Sequence, residues 1–256
     1  MVESPLLINY KRKLVFRVAI FIIIFFMYLI WENLDEDLLN FGFHDLSFLH
    51  VIWVVFVFEF LLVFFRRSKV SMGSIKQFKR NYIEPKVVAT KEAIKEARHK
   101  LNIQALKAFL CWSLLNGIVA VLFYTKLIRN RELFLLSGAY YVADLICVIY
   151  FCPFQRWIMK NRCCVTCRIF NWDQLMIVTP LIFLNSLYSY TLIGIAAFAF
   201  IMWEYNFYRH TERFVEVSND HLKCLNCTDK LCVHRKPYFP KSIKELKANI
   251  AKKIKR

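Results

Sequence analysis

Glycine and proline are scarce, with 5 and 6 of 256 residues. Collagen-like and low-complexity chains are excluded on that ground. So few glycines also leave little material for a phosphate-cradling loop. Neither GxGxxG nor GxxxxGK followed by Ser or Thr occurs, and HExxH and GxSxG are missing as well. Catalysis on a soluble nucleotide is therefore disfavoured, and no reaction can be read from the chain. Acidic residues are outnumbered, 19 against 36 Lys and Arg, for a formal net charge of +17. In a soluble protein such a balance points to nucleic acid. Here the basic residues lie between apolar runs and at the tail, where they would meet anionic lipid at the inner leaflet. No nucleic-acid partner is expected.

What is abundant is apolar surface. The hydrophobic fraction is 58%, against about 45–50% in ordinary soluble domains. The excess falls in continuous runs such as Val18–Trp31 and Val51–Phe65. Such content excludes disorder, and the size excludes a disulfide-stapled secreted module. The expected fold class is all-α: a polytopic integral membrane protein with about six transmembrane helices and a small cytosolic Cys-rich metal-binding element.

A basic N-terminus, residues 1–13, precedes the first apolar run, Leu14–Trp31. Arg17 interrupts that run and is expected to snorkel to the headgroups. No small-x-small cleavage site follows, so the run reads as a retained span. Glu32, Asp35, Glu36, Asp37 and Asp45 come next with no Lys or Arg among them, and Phe48–Phe65 closes the first pair of spans, residues 14–65. An acidic loop between two basic flanks puts the N-terminus in the cytosol. Residues 66–107 carry twelve basic side chains against three acidic ones and read as a cytosolic segment. Within it, Val87–Phe109 has the pattern of an amphipathic helix lying on the inner surface.

The second pair, residues 108–152, consists of Ala108–Tyr124 and Leu133–Cys152. Their connector, Thr125–Glu132, carries Lys126, Arg129 and Arg131 on what should be the outer side, against the orientation rule. After a polar stretch, 153–173, residues 174–208 are nearly all apolar. One helix of that length would measure about 50 Å, too long for a hydrocarbon layer of about 30 Å. A hairpin is therefore expected, Gln174–Tyr188 and Thr191–Tyr208, turning near Asn185, Ser186, Ser189 and Thr191. A re-entrant hairpin that never reaches the outer face is the alternative. Residues 209–236 are polar again. The tail, 237–256, opens with Pro237 and Pro240 and reads as a basic amphipathic helix on the inner leaflet. Both termini are then cytosolic, in a plasma or inner membrane.

Cysteine supplies the one chemical pattern. Six of nine Cys fall in two short clusters: Cys163, Cys164 and Cys167, then Cys224, Cys227 and Cys232. A CxxC turn aims two thiolates at one centre, and two such turns supply four ligands. Cys164, Cys167, Cys224 and Cys227 are the simplest set, with Cys163, Cys232 and His234 as spares. Zinc is the expected ion, with an iron–sulfur cluster as the alternative. The hairpin would return the second cluster to the face that holds the first, so the metal would clamp hairpin to tail. Cys111, Cys147 and Cys152 lie in or at the ends of spans.

Glu59 and Asp144 form a second candidate site. Each sits inside an apolar run, where a lipid-facing carboxylate costs about 3 kcal/mol. Interhelical hydrogen bonds, with Asn116, Ser113, Ser137 or Tyr140 as partners, are one expectation. A proton or cation path is the other. His50 and Glu204, near the interfaces, are expected to be solvated. Three function classes follow: a membrane scaffold or regulator with a structural metal, an ion- or proton-coupled transporter using Glu59 and Asp144, and an iron–sulfur electron carrier.

Overall fold

The structure is a computed structural model that describes residues 4–42, 47–62, 64, 74–77, 79–86, 89–161, 163 and 167–227. The described residues are mostly helical, with no strand among them. Four helices are long and apolar enough to cross a membrane: α1 (Pro5–Ile30), α4 (Lys91–Tyr124), α5 (Asn130–Ile149) and α7 (Leu187–Arg209). Between them lie the acidic α2 (Leu34–Leu39), the apolar α3 (Phe48–Leu61) and the short α6 (Asp173–Val178).

Local chemistry sets the helix ends. The Ser4 hydroxyl accepts from the Leu7 N–H at 3.2 Å, and Pro5 takes the first helical position, where a missing N–H is harmless. α1 therefore starts at Pro5, and the basic residues up to Lys13 belong to its first turns rather than to a separate N-terminal segment. Thr90 caps α4 by accepting from Ala93 at 3.3 Å. The expected surface helix and the third span are one unbroken helix of 34 residues.

The last apolar stretch does double back, but unevenly. Its first arm is α6 followed by a 3-10 turn, Thr179–Phe183, with Pro180 at the junction. Proline cannot donate to the carbonyl four residues back, so the α-helix stops there. The arm rises about 19 Å in all, well short of one bilayer crossing. The chain turns at Leu184–Ser186, earlier than the pattern suggests. Ser186 then caps α7 by accepting from Tyr188 at 3.2 Å.

α5 is the central helix. It runs antiparallel to α1, with Gly138 against Phe21 and Ile24. Farther along, Leu145, Val148 and Ile149 meet Leu7 and Tyr10. The main core joins Ile24, Phe56, Phe60, Tyr141, Ile177 and Tyr188, from five helices. The Gln174 amide donates to the Phe60 carbonyl at 3.1 Å, so α6 caps the end of α3. α4 stands at the periphery, with Leu110, Leu114, Ile118 and Val121 exposed along it.

The bundle has two distinct ends. One gathers α2, the connector after α4 and the hairpin turn: the Phe41 ring meets Tyr188 at 5.3 Å, and Tyr124 meets Phe183 at 6.3 Å. The other gathers the start of α1, the π-helical turn Phe154–Ile158 and the segment after α7.

Candidate functional site

Arg17 is the only Lys or Arg between Lys13 and Arg66 in the sequence. It does not snorkel. It sits mid-way along α1 and is 7% exposed, facing the bundle interior. Its guanidinium reaches two other helices. Nη1 donates to Asp144 Oδ2 at 2.7 Å and to the Tyr141 carbonyl at 2.8 Å. Nη2 and Nε donate to Glu59 Oε2 at 3.1 and 3.3 Å. The carbon of the guanidinium lies 4.3 Å from the centre of the Tyr141 ring. Tyr141 and Asp144 are three residues apart on α5 and so share a face. Glu59 comes from α3, and one cation thus ties α1, α3 and α5 together.

Two of the expected partners of the two carboxylates bond elsewhere. The Ser137 hydroxyl donates to the Ile177 carbonyl at 3.0 Å, and the Asn116 amide donates to the Trp112 carbonyl at 2.9 Å. The Tyr140 ring meets Trp112 at a tilt, with ring centres 4.9 Å apart.

Two further charges lie within electrostatic reach. Lys13, one turn before Arg17, senses Glu59, Asp144 and Asp173. Asp173, at the start of α6, senses Asp144, Arg17 and Lys13. Lys13 and Arg17 thus lie within electrostatic reach of three carboxyl groups, Glu59, Asp144 and Asp173. Asp144 and Asp173 both border a cavity of about 250 Å³ between α5, α6 and the π-helical turn. Its other walls are mostly apolar, with Trp112, Tyr140, Phe154 and Phe170 among them.

A second, partly buried ion pair closes the base of the hairpin. Arg168 donates from both terminal nitrogens to the two oxygens of Glu204, with Nη1–Oε1 at 2.6 Å. The fork geometry makes such a pair strong and directional. The Trp172 indole adds a third bond to Glu204 at 2.8 Å, and the Arg168 guanidinium lies 3.6 Å from the centre of the Phe207 ring. Glu204 is therefore a partly buried structural acceptor, where the sequence suggests a solvated side chain. His50 is likewise 8% exposed, with Nε2 at 2.8 Å from the Gly42 carbonyl.

At the same end, the fully buried Asn219 organises the polar segments. Its amide donates to the carbonyls of Lys76 and Arg213 at 3.1 and 2.8 Å. Its oxygen accepts from His221 at 3.1 Å and from Ile83 at 3.4 Å. Nearby, burial together with the charges of Glu84 and Glu212 pushes the Tyr82 phenol above its usual range.

The cysteines are placed as follows. Cys163 packs beside Leu7 and Tyr10, and Cys167 is buried with Ala105, Ala108, Met159 and Ile169. Cys224 is exposed, and Cys227 Sγ lies 3.6 Å from Lys76 Nζ. Cys111 is exposed, while Cys147, Cys152 and Cys167 border the cavity beside Asp144. Cys164, Cys232, His234 and the expected tail helix lie outside the described residues. Among the described residues, no three His, Cys, Asp or Glu side chains gather in a metal-binding group.

Sequence reasoning missed Arg17 as a site residue, along with Asp173 and the Arg168–Glu204 pair. One signal was there to find Arg17. A lone cation and two lone carboxylates, each inside an apolar run, balance best by meeting one another. No protein-family model matches the chain, and no curated protein or solved structure matches it.

Proposed function

We propose that this chain is a multi-pass protein of a plasma or inner membrane, with its N-terminus in the cytosol, that takes up a proton or small cation at the cluster around Arg17. The observation that carries the reading is a third carboxyl group, Asp173, which lines the same cavity as Asp144 beside the Arg17 cluster. Lys13 and Arg17 face Glu59, Asp144 and Asp173, and two of those three acids border a cavity. In a low-dielectric interior an unbalanced charge is costly, so a proton or cation entering from the cavity completes the cluster. Arg17 holds Asp144 and Glu59 in fixed positions, and Asp173 receives the incoming charge. In this reading α1, α4, α5 and α7 cross the bilayer as full helices. α3 and the broken arm Asp173–Phe183 supply the remaining, shorter passages.

The test is flux in liposomes. Purified protein is reconstituted around a pH-sensitive dye, and a pH or cation gradient is imposed. The wild type should dissipate the gradient, and Asp173→Asn and Asp144→Asn should abolish that flux while remaining folded. Flux that persists in both variants, or none in the wild type, defeats the reading.

A second reading, a scaffold with a structural zinc clamp, draws on the end of the bundle that Cys167, Cys224 and Cys227 share with the Arg168–Glu204 pair. Zinc there would join hairpin and tail through Cys164, Cys167, Cys224 and Cys227. Elemental analysis of the full chain decides it: stoichiometric zinc supports the clamp, iron with sulfide supports the electron-carrier alternative, and neither removes both.

A further inference from the structure

A second cavity, of about 430 Å³, lies between α4 and the broken arm of the hairpin. Its size is that of ordinary small-ligand pockets, about 300–1,000 Å³. Along α4 it runs from Ala108 to Ala120, about 18 Å. Its lining includes no Lys, Arg, Asp or Glu. Phe109 and Ile182, both on its border, are about half exposed, so it opens sideways toward what the membrane reading makes the hydrocarbon layer.

One buried polar atom in this groove lacks a partner. Asn116 is 9% exposed and borders the cavity. Its amide nitrogen donates to the Trp112 carbonyl, which can only accept, so the orientation of the amide is fixed. The Asn116 Oδ1 that remains is buried without a hydrogen bond. A bare buried acceptor is costly and calls for a donor. The neighbouring Thr179 hydroxyl does not supply it. That hydroxyl donates to the Met176 carbonyl at 2.7 Å and accepts from the Trp112 indole at 3.2 Å. Gly117, beside Asn116, has no atom within 4 Å of where a Cβ would stand, so the space at this level is open.

We propose that this groove binds a neutral lipid alcohol from the bilayer, whose hydroxyl donates to Asn116 Oδ1 while its hydrocarbon body lies along α4. A charged headgroup finds no counter-charge here. A pure hydrocarbon leaves the oxygen bare, and an ester or ether brings only acceptors. The proposal rests on the membrane placement of the chain and is independent of any flux at Asp144.

The test uses the full chain in phosphatidylcholine nanodiscs and two photoreactive probes, a diazirine-bearing hexadecanol and its methyl ether. The ether keeps the chain and loses the donor. Crosslinks to residues 108–120 are counted by mass spectrometry. The alcohol should label the wild type about fivefold more than the ether, the range one neutral hydrogen bond gives. Asn116→Leu should lower the alcohol to the level of the ether without changing ether labelling, which reports that the groove is intact. Gly117→Phe should block both probes. Equal labelling of the wild type by alcohol and ether overturns the proposal, whatever the variants do. So does undiminished alcohol labelling in Asn116→Leu.

Discussion

Arg131 holds Asp35 by two bonds at once, from its backbone N–H at 2.9 Å and from Nε at 2.7 Å. The pair joins the first turn of α5 to the acidic α2, across 96 residues of sequence. It gives Arg131, one of three basic residues in a connector that runs against the orientation rule, an acidic partner. An acidic partner faces Arg131 at the same end of the bundle, so its charge is matched locally. Reversing either residue should destabilise the connection: Asp35→Arg or Arg131→Asp alone lowers the thermal midpoint in detergent. The double reversal should recover much of the loss through its side-chain contact. If the double variant is no better than the worse single, the pair is not coupled.

The Arg17 cluster should behave as a unit. Removing the cation alone leaves two partly buried carboxylates without it, and breaking a fully buried pair this way costs about 3–5 kcal/mol, an upper bound here. Arg17→Met should therefore unfold well below the wild type. Replacing all three charges, with Arg17→Met, Glu59→Leu and Asp144→Leu together, should return the midpoint close to its original value, because matched apolar side chains need no counter-charge. Thermal unfolding in detergent compares the two variants directly. A triple variant as weak as the single would mean that the charges do more than balance one another.

Two glycines should respond in opposite ways. A Cβ at Gly138 would come within 3.1 Å of Ile24 Cδ1 and 3.2 Å of Phe21 Cδ2, so α1 and α5 touch there. Gly138→Leu should overpack the contact and cost about 1–3 kcal/mol. Gly194, on α7, has nothing within 4 Å of that position. Gly194→Ala should stabilise its helix by about 0.5–1 kcal/mol. Unfolding midpoints of the two variants, measured side by side, should fall on opposite sides of the wild type.

The sequence made some of this legible and concealed the rest for physical reasons. Apolar runs revealed α1, α3, α5 and α7, because backbone in lipid must satisfy its own hydrogen bonds. Pro180 broke the first arm of the hairpin, a local effect hidden inside a stretch that is apolar from end to end. Glu59 and Asp144 stood out because lone carboxylates are conspicuous in greasy segments. Arg17 did not, because a cation near a basic flank has the innocent alternative of snorkelling. Only the antiparallel register of α1 and α5, which brings Arg17 opposite Tyr141 and Asp144, decides between the two. The Arg168–Glu204 pair depends on the hairpin's closure in space, and the spacing of those residues alone does not disclose it.

α4 carries one more implication. Its 34 residues form a single rod of about 51 Å, whose Lys91 end is rich in basic side chains and whose far half holds Trp112 and Asn116. No proline or kink interrupts it, so whatever grips the basic end also has leverage on the far one. The basic Lys91 end and the wall of the slot beside Asn116 are therefore parts of one continuous element.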